Sequence, residues 1–175
     1  MMPDYAYFST VTILKWRPIL NNDKYKRIIN DSLRFLVEQR RVKVYAFVIM
    51  PNHVHLIWQP INEHTLPNIQ RDFLKYTSSQ IQKDLRTNNP ELHKQFEVNL
   101  KDRKYQLWQR GAINKELYSQ KMFEQKLNYI HSNPVKGKWM LSDDPASYYY
   151  SSAKYYETED NSFPFLSHYM EYFGN

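Results

Sequence analysis

Residues 42–59 read VKVYAFVIMPNHVHLIWQ, and this stretch decides the fold. Its first part is rich in β-branched and aromatic side chains, which are typical of a strand. A Pro-Asn dipeptide at 51–52 interrupts the run, and residues 53–59 resume it, so the two strands are predicted to form an antiparallel hairpin. Because side chains alternate along a strand, His53 and His55 leave the same face of the sheet. The apolar residues between and after them leave the opposite face.

Working outward from this hairpin, local periodicity predicts the remaining elements. They are a strand at 5–14, a helix from the Asn21-Asn22-Asp23 cap to about Gln39, a helix over 66–85 stopped by Asn88-Asn89-Pro90, a strand at 104–109, and a helix from about Ser119 to Asn133. The last helix must end there because a residue that precedes proline is disfavoured in the α region.

The order β-α-β-β-α-β, followed by one more helix, matches the ferredoxin-like (RRM-like) split βαβ plan of the α+β class. This plan has one antiparallel sheet with its helices on one face, so we expect the other face to be free to carry a site. Residues 1–141 are predicted to form one domain that includes the last helix. Residues 142–175 are predicted to be an irregular, tyrosine-rich tail that packs on the same domain, with a short helix as an option.

Composition excludes several classes of function. The chain has no cysteine, which removes disulfide scaffolds, cysteine zinc sites, iron–sulfur clusters and thiol catalysis. With only 3 glycines, a glycine-rich phosphate loop is also excluded. Met1 to Thr10 has no signal-peptide pattern, and no apolar run approaches the roughly 20 residues that span a bilayer. We therefore expect a cytoplasmic protein that does not enter a membrane.

The charge balance favours a polyanionic partner. The 24 Lys and Arg residues exceed the 18 Asp and Glu residues, for a net charge of +6. Neutralising phosphates releases counterions, which drives nucleic-acid binding. The 15 tyrosines and 4 tryptophans add rings on which the unpaired bases of single strands can stack, although most of these rings are expected in the core.

The two histidines of the hairpin form a partial metal site, since two imidazoles on one rigid strand can bind one ion. On its own, a His-x-His pair is more often metal-free. The chain is too short for an amidohydrolase barrel of ~250 residues. A cupin would have a carboxylate soon after the pair, and a zinc hydrolase would have more His or Asp nearby, but residues 56–61 contain neither. A third ligand must come from elsewhere in the chain.

Tyr129 and Asn133 are one helical turn apart in the last predicted helix, so they lie on nearly the same face. Tyr129 falls at the edge of the apolar stripe, beside Met122, and not at its centre. This layout fits a nucleophile beside a metal ligand. It also fits an ordinary boundary tyrosine followed by an asparagine cap, and spacing alone does not separate the two interpretations.

Four blocks of the sequence resemble one known family. Residues 47–58 (FVIMPNHVHLIW) resemble the His-hydrophobic-His motif of the single-tyrosine HUH transposases of insertion-sequence type. Residues 107–111 (LWQRG), 126–136 (KLNYIHSNPVK) and 149–153 (YYSSA) resemble later blocks of its REP-associated tyrosine transposase branch. The similarity extends from about Tyr7 to Tyr155. It departs after Pro134-Val135, where Lys136-Gly137-Lys138-Trp139 replaces a small residue and Gly-Leu.

The resemblance implies a transposase-like endonuclease and strand transferase. His53, His55 and Asn133 would bind Mg²⁺ or Mn²⁺, and Tyr129 would attack a DNA phosphate to leave a 5′-phosphotyrosine and a free 3′-OH. The substrate would be single-stranded DNA with hairpins, and a monomer is expected, with a dimer as the alternative. The candidate DNA contacts are Lys126, Arg71, Lys75, Arg110 and Lys136.

Two other functions compete with the nuclease. A hairpin-binding regulatory protein on the same fold would bind nucleic acid without strand transfer, and this includes an inactive descendant of a transposase. An RNA-binding sheet of this fold would instead need aromatic rings on its central strands. His53 and His55 occupy those positions here, and each proposed catalytic position keeps a competent residue.

Overall fold

The β2–β3 hairpin lies at one side of a four-stranded sheet in the computed structural model, which describes residues 5–174. The elements are β1 (Ala6–Thr12), α1 (Asp23–Glu38), β2 (Val42–Ile49), β3 (His53–Pro60), α2 (Leu66–Asn88), α3 (Pro90–Lys94), β4 (Glu97–Leu100), β5 (Arg103–Tyr105), β6 (Ile113–Leu117), α4 (Gln120–Ser132) and α5 (Ala153–Thr158). Residues 1–4, which begin the predicted domain and the stretch searched for a signal peptide, and residue 175 of the tail lie outside the described residues.

The sheet has the strand order β2-β3-β1-β6 with antiparallel neighbours, which confirms the ferredoxin-like plan. Strand β3 is central, and its start lies against the end of β1. Thr12 is the register partner of His53, and Thr10 is the register partner of His55. This pairing therefore holds both histidines on a strand that has hydrogen-bonded neighbours on either side. Within residues 5–174 no helix is both long and apolar enough to span a membrane.

The prediction of a fourth strand at 104–109 is wrong. The fourth strand of the sheet is β6, whereas β5 pairs with β4 in a separate two-stranded sheet. Leu107 and Trp108 are consecutive and both buried, so this stretch fills the core without the alternation of a sheet strand. Strand β6 carries the polar run Asn114-Lys115-Glu116 and is largely exposed, so no apolar pattern marks it. Edge strands often carry charged side chains, because these discourage pairing with another chain.

The predicted helices are confirmed and follow from local signals. The Asn22 side chain accepts a hydrogen bond from Lys24 N at the start of α1, and Ser119 accepts one from Met122 N at the start of α4. Helices α1 and α2 cover one face of the sheet. Their buried apolar residues pack against the side chains of β3 that alternate with the histidines, and the participants include Ile29, Leu33, Phe73, Ile81, Leu56 and Trp58.

The second face of the sheet is not free, contrary to the prediction. Helix α4 packs on it through Phe123, Leu127 and Ile130, and the tail adds Tyr156 and further aromatic residues. The strand residues on this face are also apolar, and they include Ala6, Phe8, Ala46, Val48 and Ile57. Leaving them in water would lose roughly 25 cal/mol per Å² of apolar surface, so both faces are covered. At the end of this face that carries the histidines, His53 is partly exposed.

The tail packs over the domain and contains the short helix α5. The tail also forms backbone hydrogen bonds with the outer edge of β2. There Ile49 N donates to Tyr150 O at 2.9 Å, and Ser152 N donates to Phe47 O at 3.0 Å. Further along, Ser167 N donates to Val44 O at 2.9 Å. The aromatic-Ser-Ser block at 149–153 thus has a structural part in the fold. The boundary at 141 stays a prediction.

His131 links α4 to this block from inside the protein. Its Nε2 lies 2.8 Å from Ser152 Oγ, which also accepts a hydrogen bond from Phe47 N at 3.0 Å. Burial lowers the pKa of His131 to about 4. Because the ordinary value is near 6.5, the folded protein favours the neutral imidazole, and its stabilising contribution is complete above about pH 6.5 and is lost toward pH 4.

We therefore expect the free energy of unfolding to fall between pH 7 and pH 5, by about 1–2 kcal/mol from His131. The change His131→Gln keeps a polar group near Ser152 but cannot titrate. Urea denaturation at the two pH values should show a smaller loss for the variant than for the original protein. An equal loss in the two proteins would contradict this assignment.

Candidate active site

The two histidines lie at the accessible end of the second sheet face. Their ring centroids are 4.7 Å apart, and the Phe8 ring stacks on His55 at 5.4 Å. His55 is 4% exposed, whereas His53 is half-buried nearer the surface. Both histidines therefore lie on one face of the sheet, as the strand alternation predicts. Side chains of the neighbouring strand β1 contact them.

Asn52 fixes the orientation of His53. The Asn52 Nδ2 donates to Trp16 O at 3.3 Å, which turns its Oδ1 toward His53 Nδ1 at 2.6 Å. An amide oxygen is only an acceptor, so His53 donates from Nδ1 to Asn52 Oδ1. In the neutral ring, Nε2 then carries a lone pair and faces a second acceptor, Asn133 Oδ1, at 3.1 Å, an arrangement that a cation between the two atoms would stabilise. This is the usual second-sphere arrangement of a metal-binding histidine.

The deeper histidine has an unsatisfied atom. His55 Nδ1 lies 2.8 Å from Thr10 Oγ1, but the buried Nε2 has no partner among the described residues. Burial is the main cause that lowers the pKa of His55 to about 3, with smaller effects from His53 and Lys126. Burial also lowers the pKa of His53, against a smaller opposing effect of Asn133. Both imidazoles are therefore neutral near pH 7, which is the form that binds metal ions.

Asn133 comes to the histidines from the far end of α4. Its Oδ1 lies 3.1 Å from His53 Nε2. The helix ends at Ser132, close to the predicted end, but the reason given for that end is wrong. Asn133 keeps α-region angles (φ −56°, ψ −44°) before Pro134, and the chain continues as a 3-10 turn over Asn133–Val135. This continuation keeps the Asn133 side chain in line with Tyr129.

The donor set fits a divalent ion. Three atoms are available, His53 Nε2, His55 Nε2 and Asn133 Oδ1, and the second has no other partner among the described residues. Neighbouring ligands of an octahedral ion with ~2.1 Å bonds are about 3.0 Å apart, close to the 3.1 Å between His53 Nε2 and Asn133 Oδ1. Within 5–174 no three His, Cys, Asp or Glu residues are grouped so that they could hold a metal, and the third atom of this set is an amide oxygen.

Tyr129 lies beside these atoms with its ring partly in solvent. The ring centroid is 5.2 Å from that of His55 and 5.9 Å from that of Phe8, and the residue is 44% exposed. Lys126, one turn earlier, places its Nζ 5.5 Å from the Tyr129 ring centroid and 4.7 Å from that of Phe8. The exposed tyrosine, a cation and the imidazole and amide atoms described above thus share one surface.

The predicted DNA contacts fall in different places. Lys126 lies in the site, and Lys136 is exposed on the segment that follows Asn133. Arg71, Lys75 and Arg110 line a separate groove beside α2, which is on the other side of the sheet.

Sequence reasoning did not single out four residues that surround the site. Thr10, Asn52 and Phe8 contact the histidines, and the Trp139 ring is 6.0 Å from that of His53. The first strand offered one usable signal, because Phe8 and Thr10 alternate on the face that carries the pair.

Comparison with known proteins gives a consistent result. The family described as Transposase IS200 like matches residues 4–133. The REP-associated tyrosine transposase of Escherichia coli (strain K12) is 28% identical over 146 residues, which cover 81% of this chain and 74% of that protein.

Two solved structures match this chain. One is a REP-associated tyrosine transposase bound to a REP hairpin, with a TM-score of 0.66 and 19% identity over 95% of this chain and 86% of that one. The other is a putative transposase from Deinococcus radiodurans R1, with a TM-score of 0.49 and 18% identity over 74% of this chain and 91% of that one.

The family match covers most of the chain and includes β1, the His53–His55 strand and all of α4. The protein therefore belongs to the IS200-like transposases, a family of DNA-processing enzymes, and it resembles their REP-associated tyrosine branch.

Proposed function

We propose that this protein is a metal-dependent nuclease and strand transferase that cuts single-stranded DNA beside hairpins through a covalent bond to Tyr129. One observation carries the proposal. Residues from two distant parts of the chain converge, so that Tyr129 and Asn133 of the α4 segment meet the neutral His53–His55 pair of β3. Of the proteins it resembles, one was solved with a REP hairpin, which supports a hairpin-bearing substrate.

In the proposed reaction the Tyr129 hydroxyl attacks the phosphorus of a DNA phosphodiester. An Oη–P bond forms and the P–O3′ bond breaks, which leaves a 5′-phosphotyrosine and a 3′-oxygen that takes up a proton. The reverse attack by a 3′-OH on the phosphotyrosine would rejoin strands, because the covalent bond conserves the energy of the original one.

The side chains have separate tasks in this reaction. His53, His55 and Asn133 would hold Mg²⁺ or Mn²⁺, which polarises a phosphate oxygen and offsets the charge of the transition state. Asn52 and Thr10 orient the two imidazoles. A tyrosine hydroxyl is a weak nucleophile at neutral pH, so positioning matters. The Lys126 ammonium, which lies over the Tyr129 ring, is placed to attract the scissile phosphate.

The direct test uses hairpin-bearing, labelled single strands with Mg²⁺ or Mn²⁺. A labelled band that stays on the protein after denaturation demonstrates the covalent adduct, and it should disappear when EDTA is added first. If hairpins bind but no adduct forms with either metal, the chain would instead be a hairpin-binding regulatory protein. The nuclease is favoured by the exposed Tyr129 and by His55 Nε2, which has no hydrogen-bond partner within 5–174.

Trp139 provides a second prediction because its half-buried ring lies 6.0 Å from that of His53, next to the proposed scissile phosphate. Stacking of a base on an aromatic ring contributes about 1–3 kcal/mol. We expect Trp139→Ala to raise KM for the DNA strand roughly 5- to 150-fold, with a smaller change in kcat. Trp139→Phe should retain most of the affinity, and equal losses in both variants would argue against stacking.

A further inference from the structure

Trp16 is an exposed tryptophan to which the reaction proposed above gives no task. It follows β1 and is 63% exposed, whereas Trp58 and Trp108 are buried in the core and Trp139 is half-buried beside His53. A large ring that stays in water gives up the stabilisation that burial provides. The exposure of Trp16 therefore needs a reason other than the stability of the fold.

The backbone that carries Trp16 has an uncommon conformation. Lys15 has φ 56° and Trp16 has φ 55°, so two consecutive residues that are not glycine occupy the left-handed region. The Cβ atom makes this region unfavourable for such residues, and they persist there only when surrounding contacts fix them. Left-handed residues of this kind cluster at functional sites, where the backbone presents a side chain in one particular direction.

Hydrogen bonds to the segment 107–109 fix this turn. Leu14 N donates to Leu107 O at 2.8 Å, and Lys15 N donates to Gln109 Oε1 at 3.2 Å. These bonds hold the two residues that come just before Trp16. The indole ring is therefore carried by a well-anchored segment, and a ligand that binds it has less conformational entropy to remove.

The same turn contacts the histidine end of the sheet through Asn52. Asn52 Nδ2 donates to Trp16 O at 3.3 Å, and Asn52 Oδ1 accepts from His53 Nδ1 at 2.6 Å. Ile13 N also donates to Asn52 O at 2.9 Å. A single side-chain amide thus spans the distance between the backbone of Trp16 and a proposed metal ligand. A nucleotide that neighbours the phosphate attacked by Tyr129 can therefore reach the indole ring.

The groups around the ring fit an unpaired base. Lys15 is exposed and forms no salt bridge with any residue of 5–174, so it can pair with a backbone phosphate. Proteins that bind single strands combine such cations with open aromatic rings, because every base has a flat face for stacking. A base inside a duplex is stacked between its neighbours and must leave the stack before a ring can contact its face. The exposed ring beside Lys15 therefore favours a single strand.

We propose that Trp16 stacks on an unpaired base of the DNA strand close to the scissile phosphate, and so helps to determine where the strand is cut. The inference rests on the proposed function, which supplies the single strand as the substrate. Stacking tolerates any base. Trp16 therefore contributes to the position of the strand in the site more than to the identity of the base.

The test combines protein variants with DNA strands that lack single bases. Labelled DNA hairpins with single-stranded flanks carry one abasic nucleotide, placed at each flank position in turn. Fluorescence anisotropy measures their affinity in the Tyr129→Phe background, which leaves the strands intact. The variants are Trp16→Ala, Trp16→Phe and the matched control Phe35→Ala, since Phe35 is 55% exposed on α1. Circular dichroism establishes that each variant folds.

We expect one flank position at which removal of the base lowers the affinity of the protein with Trp16 by at least about fivefold. In Trp16→Ala the same removal should change the affinity by less than about twofold, because the partner of the base is already absent. Trp16→Phe and Phe35→Ala should both remain sensitive to the removal. The affinity for a blunt hairpin without flanks should be the same with Trp16 and with Trp16→Ala.

Two results would overturn the proposal. In the first, no flank position loses its sensitivity in Trp16→Ala. In the second, Trp16→Ala weakens binding of the blunt hairpin as much as binding of the flanked one. Adduct formation by the protein with Tyr129 is measured in parallel. If the adduct forms and no position depends on Trp16, the Trp16 assignment fails and the nuclease stands. If a position depends on Trp16 and no adduct forms, the nuclease fails and the stacking stands.

Discussion

Replacement of Tyr129 by Phe is expected to abolish covalent adduct formation and lower cleavage by at least about 10⁴-fold. The change removes the attacking oxygen and leaves the ring that packs beside His55 and Phe8. Because Tyr129 is 44% exposed, stability should change by less than about 0.5 kcal/mol. Hairpin affinity should also stay within about twofold, since the change removes only one hydroxyl and leaves Trp139 untouched.

The measurement is a denaturing gel of labelled DNA incubated with Mn²⁺ and each protein. Tyr149→Phe is the matched control, because Tyr149 is 60% exposed and lies on the tail away from the histidines. It should form the adduct at the original rate. An adduct that persists in Tyr129→Phe would show that another residue is the nucleophile.

Replacement of His55 by Ala is expected to remove metal-dependent cleavage and the response of stability to metal. His55 Nε2 is a buried nitrogen atom with no hydrogen-bond partner among residues 5–174, so a bound metal should be its strongest interaction. Loss of one of three protein ligands should weaken Mn²⁺ binding by at least about 100-fold. An ion that binds only the folded state raises Tm, and this rise should disappear in the variant.

The control for this variant is His64→Ala, a histidine on the loop before α2. It should keep both the Mn²⁺-induced rise in Tm and the cleavage activity. Loss of the packing of His55 on Phe8 will lower Tm of the variant without metal, so only the difference with and without Mn²⁺ is diagnostic. A rise in Tm that His55→Ala retains would exclude His55 as a ligand.

The sequence predicted the helix ends and turns that are determined by residues close together in the chain. The Asn22 and Ser119 caps and the Pro-Asn break at 51–52 are local signals, and the structure has them. Strand β6 was missed because it is a polar edge strand. The covered second face was missed because its partners, α4 and the tail, are distant in sequence and only folding brings them to β1 and β2.

The candidate site likewise has contacts that the sequence predicted and contacts that it did not. Strand spacing places His53 with His55, and helix spacing places Tyr129 with Asn133, so each pair could be proposed from the sequence. The 3.1 Å contact between the two pairs depends on how α4 crosses the sheet. The hydrogen bond between Thr10 and His55 depends on the β1–β3 register, and the one that Asn52 donates to Trp16 O depends on a turn at Trp16. No local pattern contains these contacts.

The hydrogen bonds between the tail and β2 have a consequence for self-association. A bare outer strand is a template on which another chain can extend the sheet. Here Val44, Phe47 and Ile49 already bond to the protein's own tail, so two copies cannot join their sheets through β2. The opposite edge strand, β6, carries Lys115 and Glu116, and charged side chains discourage pairing with a strand of another chain. Proteolytic loss of the tail would therefore expose the outer edge of β2 and make the protein prone to aggregation.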